Sequence, residues 1–350
     1  MNKHFFKIEN KIQLSDILKI LDIPNSKLFK LNPNFDKNIL QIYIDDFVSF
    51  SNLKKNNLSF FVDKIKINIG ISSGICLVEE NNIETLSENI IKVPFHNPRL
   101  GFSMILNNYF SHHNSEINES QIHPSSIVHS TAKIGKNVSI GAYSIISEGV
   151  IIGDNTIISD RVTISFNCSI GSNAFIGTGV FMECSIIDND VNILHNSVIG
   201  KPGFGFVPNK SETTLIPHIG AVYIGKGTNI GSCCTIDRGL LDNTIIGKSV
   251  MIDNQVHIAH NCVISDYCIL AGQVGLSGSV CLEESVIIGG DVSIKDNITI
   301  GKNSVIAGAS KVFNNFPEDS KIGGSPAQDI IDWKRIVAAQ RLTIKKRKKN

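Results

Sequence analysis

The sequence predicts a parallel β-helix, a three-sided coil of short strands, and two observations carry the prediction. One apolar position recurs every six residues from Ile122 through Val128, Ile134 and Ile140 to Met182, and the same beat returns from Ile246 through Ile252, Ile258 and Leu276 to Val312. Gly, Asn, Asp and Ser crowd the positions between the beats, as in IGKN at 134–137, IGDN at 152–155 and IGKG at 224–227. An α-helix spaces its apolar stripe near 3.6 residues and a half-buried strand near 2, so a period of six excludes both. Each six-residue unit makes one flat side, its aliphatic residue points inward, and three sides close a coil of eighteen residues. The corners need backbone angles that Gly and Asn tolerate. Short corners such as GAY, GSN and GKN mark the left-handed form, an exception to the right-handed crossover rule.

The chain has 350 residues, 42% hydrophobic and 19% charged, which suits more than one folding unit. Three segments are expected: an α/β domain over 1–118, the coil over 119–318, and a C-terminal helix with a basic tail over 319–350. In the first, LSDILKIL at 14–21 has helical spacing with Ser15 as the cap, and IYI (42–44), FVSFS (47–51), IKINIGI (65–71), GICLV (74–78) and IIKVPF (90–95) read as strands. RLGFSMILNNYF at 99–110 reads as a helix entered through His96, Asn97 and Pro98. The coil is interrupted near 200–222, around KPGFGF, and again near 237–245. Excursions from a regular solenoid are where function is commonly built.

No apolar stretch reaches the length of a membrane span, and MNKHFFKIENK lacks the apolar core of a secretory signal, so a cytoplasmic home is expected. The eight cysteines contain no CxxC pair and read as reduced packing residues. Net charge is +1, yet the last ten residues include Arg341, Lys345, Lys346, Arg347, Lys348 and Lys349 and no acid. Such a tail is commonly just solvated, and it is also able to attract an acidic protein. Nothing in the charge pattern calls for nucleic acid.

The densest departure from the repeat is DNQVHIAHN at 253–261. With Ile258 inward, His260 falls two positions on, at a corner, where a neutral imidazole is placed to accept a proton. Gly278 follows eighteen residues later and therefore stacks on His260 at about one strand spacing, ~4.8 Å. A bare glycine N–H suits an oxyanion, so base and donor together make the minimal kit for acyl transfer. A lone corner histidine is equally at home as a structural residue, and the spacing of His257 and His260 also admits a zinc site shared between chains. His195 and His218 have no matching spacing.

These residues resemble the UDP-3-O-(3-hydroxyacyl)glucosamine N-acyltransferase family of lipid A synthesis, through HNPRLGF (96–102), GFGF (203–206), TIDRG (235–239), NTIIG (243–247), IDNQVHIAHN (252–261) and GGSPA (323–327). The resemblance implies a homotrimer with active sites between subunits and transfer of an (R)-3-hydroxyacyl group from acyl carrier protein to the 2-amino group of a UDP-3-O-acylglucosamine. It implies His260 as base, Gly278 as oxyanion donor, and Asn261, His257 and Asn297 as substrate contacts. It implies no metal and no cofactor beyond the phosphopantetheine thioester that brings the acyl group.

The family's N-terminal domain holds uracil, for which Phe50 and Asn52 are the expected equivalents, with Phe47 a second source of the ring. Two departures stand out: Lys54 or Lys55 replaces a second stacking aromatic, and Asn297 stands where a further histidine is common. Three rival readings remain at this stage: the O-acyltransferase acting on UDP-GlcNAc, a zinc hydratase built on a similar coil, and a non-catalytic scaffold.

Overall fold

The computed structural model describes residues 11–62, 73–110, 121–208, 212–324 and 335–341. The chain divides into two compact units, Met1–Glu116 and Ile117–Asn350.

The first unit is a parallel four-stranded sheet in the order β1 (Asp46–Phe47), β2 (Asn57–Phe60), β3 (Gly74–Val78), β4 (Ile90–Pro94), with helices α1 (Leu14–Ile20), α2 (Asn25–Leu31) and α3 (Pro98–Tyr109). All of β3 is buried, and its side chains alternate between two cores. Ile75 and Leu77 pack with Leu14, Ile17, Val93 and Ile105, while Cys76 and Val78 pack with Phe50, Phe61 and Ile90. A sheet covered on both faces reads as a continuous apolar run, which is why GICLV lacks alternation in polarity. The helix at 14–21 forms, but its cap is Gln13 in a capping box with Asp16 rather than Ser15. Asn97 caps α3 by accepting from the Leu100 N–H at 3.1 Å, with Pro98 at the first helical position. IYI supplies only a single bridge, Tyr43 to Gln13, and FVSFS stops as a strand at Phe47 before a 3-10 turn over Phe50–Asn52. IKINIGI lies outside the described residues.

The second unit is the expected left-handed parallel β-helix, with walls of ten, ten and nine short strands. Strands pair eighteen residues apart, as Ile157 with Phe175 and Ile245 with Val263. The inward beats are buried from Ile140 to Val312, including Ile187, Ile193, Ile199, Ile224, Ile230 and Ile236, which fall between the two runs of beats noted above. A second inward position lies four residues after each beat and is filled by Val150, Val162, Val274 and Val286, and by Cys168, Cys234, Cys262 and Cys268. These thiols are interior packing groups, and burial pushes Cys168 up to about 11 and Cys262 up to about 12.

Three residues after most beats the backbone turns left-handed, at Asn137, Asn155, Asn173, Asn261 and Asn297 among others. The N–H of that residue bonds the carbonyl of the coil before, as Asn155 to Lys136 at 2.8 Å. Corner and wall therefore enforce the same eighteen-residue register. Residues 335–341 are helical, inside the expected C-terminal helix. The basic positions beyond Arg341 lie outside the described residues.

Because the interior is one continuous stack, truncating a central rung leaves a void that neighbours cannot fill. Ile164→Ala should cost about 2–5 kcal/mol, read from the midpoint of urea unfolding; a loss under ~1 kcal/mol would show that the rungs do not pack cooperatively.

Candidate active site

Departures from the eighteen-residue period collect at one corner of the prism. Phe181 pairs with Val198, Val198 with Thr235, Thr235 with His257, His257 with Gly275 and Gly275 with Ser293, so the strands that precede this corner form one wall. The steps along it are 17, 37, 22, 18 and 18 residues. The corner is thus one residue short after Met182, carries the long excursion after Lys201, and carries the smaller one after Asp237. His260 and Gly278 occupy the next two levels of the same column. The long excursion contains a small antiparallel hairpin, Phe206–Pro208 with Thr213–Leu215.

Charged groups tie the two excursions down. Lys201 forms an ion pair with the buried Asp237 of TIDRG. Arg238 donates from Nε to the His218 carbonyl at 2.8 Å and from Nη1 to the Gly200 carbonyl at 3.0 Å, and faces Glu183 at 3.4 Å. One guanidinium fork therefore holds both ends of the long excursion and the short corner beneath it. This explains why TIDRG and KPGFGF belong together, which sequence spacing leaves silent.

The excursion delivers His218 and Gly203 to His260. His218 is buried, and its ring lies edge-on to that of His260 with centroids 5.1 Å apart. A Cβ built on Gly203 would sit 2.7 Å from His260 Cβ and 2.8 Å from His218 Nε2, so only glycine fits between the imidazoles. His218 Nδ1 meets the Ile216 carbonyl at 3.0 Å. A carbonyl only accepts, so Nδ1 carries a proton, and in the neutral ring the buried Nε2 is a bare acceptor.

The same reasoning fixes His260. The Leu240 N–H donates to Asn261 Oδ1 at 3.0 Å, which identifies that side-chain atom as the oxygen. His260 Nδ1 lies 3.0 Å from the same oxygen and must donate to it, so in the neutral ring the bare nitrogen is Nε2. The tautomer with a basic Nε2 is therefore built in by the smaller excursion acting through Asn261. Asn261 is itself held by its N–H to Thr244 Oγ1 at 2.9 Å.

Gly278 stacks on this ring as the register requires. A Cβ in its place would stand 2.7 Å from Cε1 and 2.9 Å from Nε2 of His260. Its carbonyl accepts from the Asn297 N–H at 3.1 Å, and its own N–H has no acceptor among the described residues. A bare acceptor nitrogen and an unfilled N–H donor lie side by side.

The remaining expected site residues fall elsewhere. His257 projects from the wall and its Nδ1 lies 2.7 Å from Thr235 Oγ1. Asn297 directs its amide to Asp296 Oδ2 at 2.9 Å. Phe50 is a core residue, 5% exposed and packed at 5.0 Å on Phe61, so its ring presents no open face for a base. Phe47 is equally buried, edge-on to Phe102 and Phe110. Asn52 is exposed and donates to Ser49 Oγ at 3.0 Å. Among the described residues no group of three or more His, Cys, Asp or Glu could hold a metal ion, and no helix is long and apolar enough to cross a membrane.

The bacterial transferase hexapeptide model, six repeats, matches residues 131–166 and 243–278, the second span running through His260 to Gly278. Both matched spans lie within the coil and share its six-residue repeat. Over 80 residues it is 51% identical to a protein of Maricaulis maris named UDP-3-O-acylglucosamine N-acyltransferase, a match covering 23% of this chain and 23% of that one. The matched segment thus spans about a quarter of that relative. Among solved structures, the Arabidopsis UDP-N-acetylglucosamine acyltransferase superposes with a TM-score of 0.52 at 27% identity, over 58% of this chain and 71% of that one.

Removing the Lys201 ammonium strands the buried Asp237 carboxylate. Lys201→Met should therefore destabilise the second unit by about 1–3 kcal/mol, and Lys201→Met combined with Asp237→Leu should recover most of the loss. Equal melting temperatures for the wild type and the single variant would dismiss the clamp.

Proposed function

We propose that the chain is an N-acyltransferase of lipid A synthesis, moving an (R)-3-hydroxyacyl group from acyl carrier protein to the 2-amino group of a UDP-3-O-(3-hydroxyacyl)glucosamine. The observation that carries the reading is the bare Nε2 of His260, set by Asn261 and stacked against the open N–H of Gly278. A general base beside an oxyanion donor is the kit that aminolysis of a thioester needs.

The amine nitrogen attacks the thioester carbonyl carbon, and the carbonyl π electrons move onto oxygen, where the Gly278 N–H meets them. His260 Nε2 takes the proton shed by the attacking nitrogen. The carbonyl re-forms as the carbon–sulfur bond breaks, and the His260 proton passes to the sulfur, leaving amide, thiol and neutral imidazole. No acyl-enzyme is required, since the thiol nearest in sequence, Cys262, is buried, pushed up to about 12, and donates to the Ser277 carbonyl at 3.2 Å.

N-acylation is favoured over O-acylation on two grounds. The relative with the higher identity is named an N-acyltransferase. A compact unit, Met1–Glu116, precedes the coil, as the resemblance to the N-acyltransferase family implies. Within one chain His257 and His260 do not converge, since His257 meets Thr235 on the wall while His260 meets Asn261 at the corner.

Assembly with further copies is part of the proposal. Met251, Ile269, Ile287 and Val305 form an outward apolar stripe on successive rungs of one wall, each more than 40% exposed, as a homotrimer packed coil against coil would need. The acyl group arrives on phosphopantetheine as co-substrate, in a cytoplasmic setting.

His260→Gln should lower turnover about 100- to 10,000-fold with the melting temperature unchanged. Gly278→Ala should also impair turnover severely, because the new methyl collides with the catalytic ring. Assay with acyl carrier protein thioesters against UDP-GlcNAc and against its 3-O-acyl-2-amino derivative separates the two transferase readings. Activity on UDP-GlcNAc alone would falsify N-acylation.

A further inference from the structure

The oxyanion donor is open because of a neighbour that has no part in the chemistry. At six corners among the described residues the N–H two residues after the inward beat is taken by a side chain at the same position of the following coil. Lys136, Ala142 and Lys248 donate to Asp154, Asp160 and Asp266 at 2.7, 2.7 and 2.9 Å. Ser172, Ser232 and Thr178 donate to Asn189, Asn254 and His195 at 2.7, 2.8 and 3.1 Å. Gly278 is the equivalent position after Leu276, and the equivalent side chain on the following coil is Asp296, after Ile294. By the habit of the fold, the Asp296 carboxylate belongs on the Gly278 N–H.

It is not there. Asp296 Oδ2 accepts from the Asn297 side chain at 2.9 Å, and the Gly278 N–H has no acceptor among the described residues. The pattern of coil-to-coil hydrogen bonds does not distinguish this corner from its relatives. Ser277 N–H meets the Ile294 carbonyl at 3.0 Å as Gly135 meets Ile152 at 2.8 Å, and Asn297 N–H meets Gly278 as Asn155 meets Lys136.

What differs is the residue just before the N–H. In all six capped corners it is glycine: Gly135, Gly141, Gly171, Gly177, Gly231 and Gly247. A Cβ built on Gly135, Gly171 or Gly247 would stand 2.5 Å from the capping oxygen of Asp154, Asn189 or Asp266 and 2.7, 2.6 or 2.7 Å from the backbone nitrogen of the same residue. Glycine at that place is therefore a condition for a short carboxylate or amide cap, and before Gly278 the chain has Ser277.

We infer that Ser277 is a positioning residue whose Cβ fills the space a capping carboxylate needs, so that Asp296 is turned away onto Asn297 and the Gly278 N–H stays free for the reaction. The inference rests on the reading of His260 and Gly278 as the acyl-transfer centre. Its electrostatic logic is simple. A carboxylate on that N–H would occupy the donor and place a negative charge where the tetrahedral oxyanion develops, and both effects raise the barrier. Asn297 acts in the same direction, its amide a substitute for the N–H that Asp296 is denied.

The test is a two-by-two set of variants assayed under saturating thioester and acceptor. Ser277→Gly should reduce kcat about 10- to 100-fold, short of the full loss of a donor, with KM changed by less than a few-fold. Asp296→Ala alone should retain wild-type turnover, and Ser277→Gly with Asp296→Ala should return to it. Asn297→Gly, which suits the left-handed backbone at that residue, should lower kcat in the same direction and be relieved by Asp296→Ala.

Relief by Asp296→Ala is the readout that simple loosening of the corner does not give. Wild-type turnover in Ser277→Gly, or a loss that Asp296→Ala fails to relieve, overturns the inference provided His260→Gln is inactive. If His260→Gln is also active, the acyl-transfer reading itself has failed.

Discussion

The coil-to-coil register is the constraint on which the rest depends. Each level of the prism is tied to the next by wall pairs eighteen residues apart and by a left-handed corner residue whose N–H reaches back to the coil before. Even residues poorly suited to that conformation, such as Tyr143, Arg161 and Ala309, adopt it here. The strain of order 1 kcal/mol at each is offset by a backbone bond such as Arg161 to Ala142 at 2.8 Å. Because walls and corners repeat together, a residue cannot shift along the axis without breaking bonds above and below. Rigidity of this kind is what a stacked pair such as His260 and Gly278 requires.

Against that regularity, the candidate site sits where the period fails. The short corner after Met182, the excursion after Lys201 and the excursion after Asp237 all leave from one edge, directly beneath His260. Extra chain at any other corner would make surface. Extra chain here brings His218, Gly203, Leu240 and Arg238 to a column whose regular levels supply only His260, Asn261 and Gly278.

The division between what was legible in the sequence and what was not follows the same line. The beat gave the fold, the two excursions and the stacking of Gly278 on His260, because each depends only on counting in sixes. His218 was illegible, since the excursion places it 42 residues before His260, a number with no relation to the period. The Lys201–Asp237 pair was hidden for the same reason. In the first unit the limit was different. Phe50 carries the same signature whether it is a buried ring or a stacking platform, and only its packing on Phe61 separates the two. Ser15 lost the cap to Gln13 because reciprocal bonding with Asp16 outweighs a better single capping residue.

Under the acyl transfer proposed above, the choice of an amide beside the base carries a mechanistic consequence. Asn261 Oδ1 accepts from Leu240 and from His260 Nδ1 at once, so it orients the ring and sets its tautomer without bringing a charge. A carboxylate there would do the orienting equally well, but it would also hold the imidazolium formed when the amine gives up its proton. In thioester aminolysis that proton must move on to the departing sulfur within the same turnover. A neutral partner leaves the imidazolium free to release it, and the built-in acid of this corner, Asp296, is meanwhile held by Asn297. The column thus keeps negative charge away from the proton carrier and the oxyanion donor of the proposed reaction, which is the electrostatic condition for one imidazole to serve as base and then acid.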